Sequence, residues 1–300
     1  MSTFQEYFLA KRAVDHRSLN PRVWAALGAA VAPRAGPKGL NVLELGCGVG
    51  AMFQRLVGGG VLRQARYTAV DGDADNLDCA LSRLPGWSRE EGLACQVTPD
   101  GAVLEGAGRE LSIRLVTADV FAFLDSASTR PDWDLVVAHA LLDVVDAPGL
   151  LARLARLCRP GCLVYLPIHY DGLTCFEPQI DAAWEETLWR LYHHSMDTRP
   201  AGGSSQTGRR LYTWLREAGF RLLEAGAADW MVFPRDGAYT PDERLFLDFI
   251  LDTIDHQLTG HPELDDEAFA GWLSLRRAQV ERQELMYVAH QMDYLACLPE

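Results

Sequence analysis

Apolar runs of strand length alternate along the chain with stretches whose apolar positions recur every three or four residues. That alternation is the signature of βα units around a parallel sheet. The first run, Val42, Leu43 and Leu45, reads as a strand buried on both faces. It leads through a Gly46-x-Gly48-x-Gly50 turn into the helical stretch Ala51 to Val57. Further strands are predicted at Arg66 to Val70, Leu111 to Val116, Asp132 to Ala138 and Leu163 to Ile168, the last ending at His169-Tyr170-Asp171-Gly172. Phe220 to Ala225 with Trp230 to Phe233 reads as a sixth strand bent at Gly226. Glu284 to Leu295 reads as an antiparallel seventh, against the alternative that a helix over 265–283 simply continues.

Capping residues punctuate the helices. Residues 4–33 are helical with a break at Leu19-Asn20-Pro21, where Asn20 caps and Pro21 takes the first helical position of the next segment. Asp73 caps Ala74 to Leu84, Asp146 caps Ala147 to Cys158, and Thr207 caps Gly208 to Ala218. Thr240-Pro241-Asp242-Glu243 is a full capping box for a helix running to Leu258. Pro33 to Leu40 is a Gly/Pro linker, residues 85–111 read as an excursion with a hairpin at Pro99-Asp100-Gly101, and Asp197 to Ser205 reads as a flexible loop. The charged run Lys11 to Arg17 reads as a solvated helix face.

A strand, a glycine turn and a helix make a shelf for a polar small molecule, because the backbone can turn tightly and let a ligand approach without a Cβ in the way. Glu44 narrows the choice: two residues before the first glycine, a carboxylate opposes a pyrophosphate and suits a ligand with a sulfonium and an α-amino group. The pattern Glu44-x-Gly46-x-Gly48-x-Gly50 resembles motif I of the class I S-adenosylmethionine-dependent methyltransferases. Gly46, Gly48 and Ala51 also satisfy the dinucleotide fingerprint, whereas no P-loop pattern is present.

The resemblance implies a Rossmann-like α/β fold with a seven-stranded, mostly parallel sheet and inserted lid helices. It assigns S-adenosylmethionine to Glu44, Gly46, Cys47, Gly48, Gly50, Asp71, Gly72, Asp119, Val120 and His139. Within that set, Asp71 ends the second strand, where an acid about 20 residues past a glycine turn accepts ribose hydroxyls. Asp119 follows the third strand, where the family accepts the adenine amino group. Arg12 or Arg17 is expected at the methionine carboxylate, from an N-terminal helix lying over the cofactor. His139 and Asp143 stand where O-methyltransferases of this class place catalytic groups. A lid after the fifth strand, about 174–206, would offer Trp184, Tyr192, His193, Met196 and Arg199 to the acceptor alongside His169 and Tyr170. Strand-end acids and bases, Asp171 among them, are expected on one rim, since open parallel sheets bind ligands beyond their carboxyl ends. The expected organisation is a helical cap over 1–36 and a methyltransferase domain over 37–300, with a helical insertion about 240–283.

Composition removes other classes. A formal charge of −13 without a basic stripe disfavours nucleic acid as partner. No apolar run approaches the ~18–20 residues of a membrane span, and no basic-then-apolar leader opens the chain. Seven cysteines without a C-x-x-C fit reduced thiols in a cytoplasm and no metal site. The expected partner is a small-molecule substrate, the expected state a monomer or homodimer. Methyl transfer to oxygen or nitrogen is the leading function. An NAD-dependent oxidoreductase, an aminopropyltransferase-like enzyme and a non-catalytic S-adenosylmethionine-binding protein are the alternatives.

Overall fold

Apolar side chains on both faces put strand β1 (Leu40–Leu45) in the middle of the sheet, with only Asn41 short of full burial. The computed structural model describes residues 4–34, 36, 39–126 and 132–300. Before β1 come helices α1 (Phe4–Ser18) and α2 (Pro21–Val31); after it come α3 (Ala51–Gly58), β2 (Gln64–Asp71) and α4 (Ala74–Glu90). The middle of the chain forms β3 (Ala94–Thr98), β4 (Gly101–Gly106), β5 (Arg109–Thr117), α5 (Val120–Asp125), β6 (Leu135–Ala138), α6 (Ala147–Leu157) and β7 (Leu163–Glu177). It closes with α7 (Ala182–Asp197), α8 (Thr207–Glu217), β8 (Arg221–Ala227), β9 (Trp230–Val232), α9 (Pro241–Leu258), α10 (Asp266–Glu281) and β10 (Met286–Cys297).

The sheet runs β3-β4-β5-β2-β1-β6-β7-β10-β8, with β9 also paired to β10. From β5 to β7 the strands are parallel, and β10 enters antiparallel between β7 and β8. This is the Rossmann-like class I methyltransferase arrangement, extended at one edge by the β3–β4 hairpin. One face packs α2, α3 and α4 through Leu27, Phe53, Leu56 and Leu77. The other packs α6 and α8 through Leu150, Leu154, Leu211 and Leu215. A third core, formed by α1, α7, α9 and α10 against the outer part of β7 and β10, lies beyond the carboxyl ends of the parallel strands and roofs them.

Several boundaries differ from the sequence reading. Helix α4 continues through Pro85 to Glu90, because Trp87 and Ser88 beyond the proline pack inward and hold the last turns. The excursion after it holds the expected hairpin, whose strands join the sheet through β5. Strand β7 does not stop at Ile168 but runs to Glu177, since β10 pairs with it along both halves. The sixth strand is two strands, β8 and β9, interrupted at Ala228 and Asp229 and not at Gly226. Residues 286–297 are strand, so the helical alternative fails. Thr207 is not a cap: it lies inside α8, its hydroxyl donates to Ser204 O at 2.9 Å, and Gln206 holds the cap position. The supposed flexible loop is pinned, with the Ser205 amide and hydroxyl donating to the two carboxylate oxygens of Asp197 at 2.7 and 3.1 Å. The expected cap boundary at 36–37 adjoins residues 35, 37 and 38, which lie outside the described residues.

Candidate active site

The glycine turn is held by its own strand and by Asp71. Gly46 and Cys47 donate their amides to Val70 O at 2.8 and 3.0 Å, and the Gly48 amide donates to Asp71 Oδ2 at 2.8 Å. Gly46 has φ +67°, which favours glycine, and a Cβ there would stand 2.9 Å from the Leu141 side-chain tip, which would have to shift. Asp71 also accepts from the Asp73 amide at 3.0 Å and from Asn76 Nδ2 at 3.1 Å. Asp73 is the cap of α4, as expected, which leaves Asp71 to brace the turn. Gly72 beside it is exposed.

Glu44 faces the helix side of the sheet and is 1% exposed, accepting a hydrogen bond from the Tyr67 hydroxyl at 2.7 Å. Burial pushes its carboxyl up to about 8, Asp71 adds to the rise, and Tyr67 and Arg55 oppose it. The expectation of a standing negative charge is therefore corrected: at neutral pH the enclosed carboxyl is largely protonated.

Helix α1 lies across this turn. A Cβ at Gly48 would stand 4.0 Å from the Phe8 ring, Gln5 Nε2 donates to Asn76 Oδ1 at 3.0 Å, and Arg12 Nη2 donates to Gln54 Oε1 at 2.6 Å. The run Lys11 to Arg17 is not a solvated face, because Lys11 and Asp15 are 6% and 2% exposed. Asp15 is a hub: Lys11 Nζ and Trp230 Nε1 donate to it at 2.8 and 3.0 Å, with His139 Nε2 at 3.2 Å and Arg55 Nη2 at 3.9 Å. Burial would raise the Asp15 carboxyl, but Lys11, His139 and Arg55 outweigh it and hold it well below the usual carboxylate range. His139 is pushed down to about 4 by burial and Lys11 against the pull of Asp15, so its ring is neutral at pH 7. Arg17 pairs with Glu243 at 2.8 Å, away from the turn; Arg55 instead keeps a buried Nη1 with no partner.

A second polar cluster stands at the end of β6 and the middle of β7. His169 is wholly buried, its Nδ1 donates to Pro167 O at 3.0 Å, and its Nε2 has no partner. Burial lowers its pKa and Asp143, within electrostatic reach, opposes the shift. Asp143 Oδ1 is likewise buried without a partner. Tyr170 exchanges hydrogen bonds with Thr174 Oγ1 and His193 Nε2, both at 2.7 Å. Tyr7 and Tyr192 complete the wall: burial and then Asp15, Tyr192 and Asp143 raise the Tyr7 hydroxyl. Ala140, just past β6, and Ile168, within β7, carry positive φ of +50° and +58°; the latter is rare for a β-branched residue and marks a conformation imposed by its surroundings. The Ile168 amide donates to Asp293 Oδ1 at 2.8 Å, and the β7–β10 register shifts at this point, re-aiming His169.

The methyltransferase-domain family matches residues 16–225, from the last turn of α1 into β8 and most of the chain. The chain belongs to the methyltransferase-domain family. No curated protein matches it by sequence. A solved structure described as a candidate methyltransferase from Bacillus halodurans C-125 superposes with a TM-score of 0.51 at 14% identity, covering 91% of this chain and 99% of that one. A candidate type II methyltransferase from Anaeromyxobacter dehalogenans gives 0.50 at 18% identity, covering 94% and 98%. Fold, glycine turn and family agree on a class I, S-adenosylmethionine-dependent methyltransferase.

In this methyltransferase, Asp119 caps α5, taking the Phe121 and Ala122 amides at 3.0 and 2.9 Å, both on Oδ1, so that Oδ2 remains for a ligand; Val120 beside it is buried. Asp171 leaves the rim, because the backbone amide and guanidinium of Arg209 bind its carboxylate at 2.7 and 2.9 Å on the α8 side. Trp184 takes a packing place against Trp272, ring centroids 5.9 Å apart, and Met196 also packs on the roof core, so neither presents a free face to the strand-end cluster. Arg199 stays near enough to lower the Tyr192 hydroxyl against its burial. His193, on the lid helix, also lines an open cleft of about 650 Å³ with Asp197 and Arg209. Lys11, Asp15, Arg55 and Tyr67 were missed as site groups. The signal for Lys11, Asp15 and Arg55 was charge within a helix, which is ambiguous until a partner is known, and Tyr67 in β2 carried none. Among the described residues no group of acids, histidines and cysteines has metal-site geometry, and no helix is long and apolar enough to cross a membrane.

Proposed function

We propose that this enzyme transfers a methyl group to a nitrogen or oxygen of a small molecule, binding the cofactor between the glycine turn and α1 and the acceptor at the end of β6 and the middle of β7. The observation that carries the reading is the set of buried polar atoms without partners around the strand ends: Arg55 Nη1, Asp143 Oδ1 and His169 Nε2. Such atoms are costly in a folded interior unless a ligand completes them. They fit the cofactor's chemistry, with Arg55 for a carboxylate, Glu44 for an ammonium, Asp71 for ribose hydroxyls and Asp119 Oδ2 for the adenine amino group. When bound, the sulfonium supplies an activated methyl group. The protein's part is to align the acceptor, exclude water and take a proton.

Two histidines are candidates for that proton. His139 Nε2 is turned toward Asp15, whereas His169 offers an unoccupied nitrogen beside Asp143. We assign His169 with Asp143 as the proton-accepting pair, and His139 with Asp15 as the joint that seats the cap on the site. Residues 1–36 then act as a cap, and α7, α9 and α10 close the acceptor side. A cytoplasmic setting fits the seven free cysteines.

The test is the pH dependence of S-adenosylhomocysteine binding. Glu44 holds a proton below about 8 that an incoming ammonium displaces, so affinity should rise with pH from 6 toward 8. The rise approaches about tenfold per unit at its steepest. Stability of the unliganded protein runs the other way: the folded carboxyl retains a proton that the unfolded one, near 4.5, has lost. Folding therefore binds a proton across that window, and stability falls as pH rises. Glu44→Gln should flatten both curves, as followed by calorimetry and urea melts. An affinity independent of pH in the parent protein would contradict this placement of the amino group.

A further inference from the structure

His169 and Asp143 together restrict what the acceptor can be, given the methyl-transfer reading above on which this step rests. A backbone carbonyl cannot donate, so the 3.0 Å contact to Pro167 O fixes the imidazole proton on Nδ1 and leaves Nε2 as a bare lone pair. Asp143 Oδ1 is a second acceptor, also buried and also without a partner. Both sit on segments joined through Pro167 O and within electrostatic reach of each other, and two enclosed acceptors call for a ligand carrying two donors.

The surroundings favour a cation over a neutral diol. Tyr7 and Tyr170 lie within electrostatic reach of Asp143, with Tyr192 and Tyr287 next to them, and aromatic faces attract cations. The charged groups acting on this cluster are Asp143 itself, Asp15 and Lys11 paired to each other on α1, Asp171 near Tyr170, and Arg199 beside Tyr192 on the lid. A chain of net charge −13 draws cations to its surface. The position is also rigid. Pro167 O accepts both from His169 Nδ1 and from the Ala140 amide, at 3.0 and 3.1 Å, so one carbonyl ties the β7 end to the β6 end.

We propose that the acceptor substrate is a nitrogen cation with at least two N–H donors, an amine or an amidine, gripped by Asp143 Oδ1 and His169 Nε2. One N–H proton of the bound cation passes to His169 Nε2, which leaves the nitrogen lone pair free as nucleophile and the imidazolium beside Asp143. The tyrosines hold the carbon skeleton.

Calorimetry of the full chain saturated with S-adenosylhomocysteine tests this with four probes: benzylamine, benzamidine, benzyltrimethylammonium and catechol. Benzylamine or benzamidine should bind on the order of tenfold or more tightly than benzyltrimethylammonium, which has the charge but no donor. Asp143→Asn, nearly isosteric, and His169→Phe should each erase that preference while still binding S-adenosylhomocysteine. Equal binding of the trimethylated cation, no heat from either nitrogen probe, or catechol binding where both fail would overturn the proposal. So would an undiminished preference in a folded variant. If neither variant folds by thermal melting, the parent's ranking of the four probes decides alone. Loss of S-adenosylhomocysteine binding in the parent would instead overturn the underlying methyl-transfer reading.

Discussion

Asp15→Ala is expected to lower the unfolding free energy by about 3–5 kcal/mol, because it leaves a buried cation without its counter-charge. Lys11 is 6% exposed and bonds Asp15 at 2.8 Å, while Arg55 and His139 share the same carboxylate. Trp230 Nε1 also loses its acceptor. Urea denaturation at pH 7 reads the loss, and replacing both charges in Lys11→Met/Asp15→Leu should recover much of it, since no unpaired ion of that pair then remains. The sign with pH follows from the depressed carboxyl: its stabilisation is complete above the ordinary value of 3.8 and fades only as pH falls toward its lower folded value. A loss below about 1 kcal/mol would mean that α1 is free to lift and that Lys11 reaches water.

A comparable effect is expected in the roof. Arg276 is fully buried, donates from Nη1 to Pro178 O at 2.7 Å and to Gln279 Oε1 at 2.9 Å, and pairs through Nη2 with Glu185 on the lid helix. Trp272 Nε1 donates to the same Glu185 oxygen at 2.9 Å, and the guanidinium lies 5.4 and 5.2 Å from the Phe176 and Trp272 ring centroids. Arg276→Ala therefore removes a cation that joins α10 to α7 and strands Glu185, at a cost of about 3–5 kcal/mol. Its sequence neighbour supplies the control. Arg277 makes half-exposed pairs with Asp252 and Asp255 at 2.8 and 3.1 Å, so Arg277→Ala should cost about 0–1 kcal/mol. Equal losses in thermal melts of the two variants would show that the roof is not keyed through Arg276.

These two networks also mark where sequence reasoning stopped. The glycine turn, Glu44 and Asp71 were legible because their chemistry lies in residue type and short spacing: a tight turn needs glycine, and a strand-end acid is local. The caps at Asn20, Asp73, Asp146 and Thr240 were legible for the same reason, since a capping side chain serves amides two or three residues on. Asp15 was not, because its partner Trp230 is 215 positions away and His139 lies at another strand end. A charge inside a helix says nothing about burial until such a partner is found. The outer half of β7 was hidden for a related reason. Gly172 looks like a strand terminus, and only the pairing of β10 with Thr174, Cys175 and Phe176 shows that the strand goes on. Arg276 and Arg277 are alike as letters and opposite in environment.

The central claim is that a buried acid and a glycine turn beneath α1 hold an amino-acid nucleoside and refuse a diphosphate. Parallel calorimetric titrations with S-adenosylhomocysteine and with NAD, on the parent chain and on Gly46→Val, test it most directly. A valine at this φ of +67° would drive its side chain into Leu141. The account expects saturable heat at one site for S-adenosylhomocysteine, none for NAD, and loss of the first signal in the variant. Saturable binding of NAD with silence for S-adenosylhomocysteine, or unchanged affinity in Gly46→Val, would contradict it.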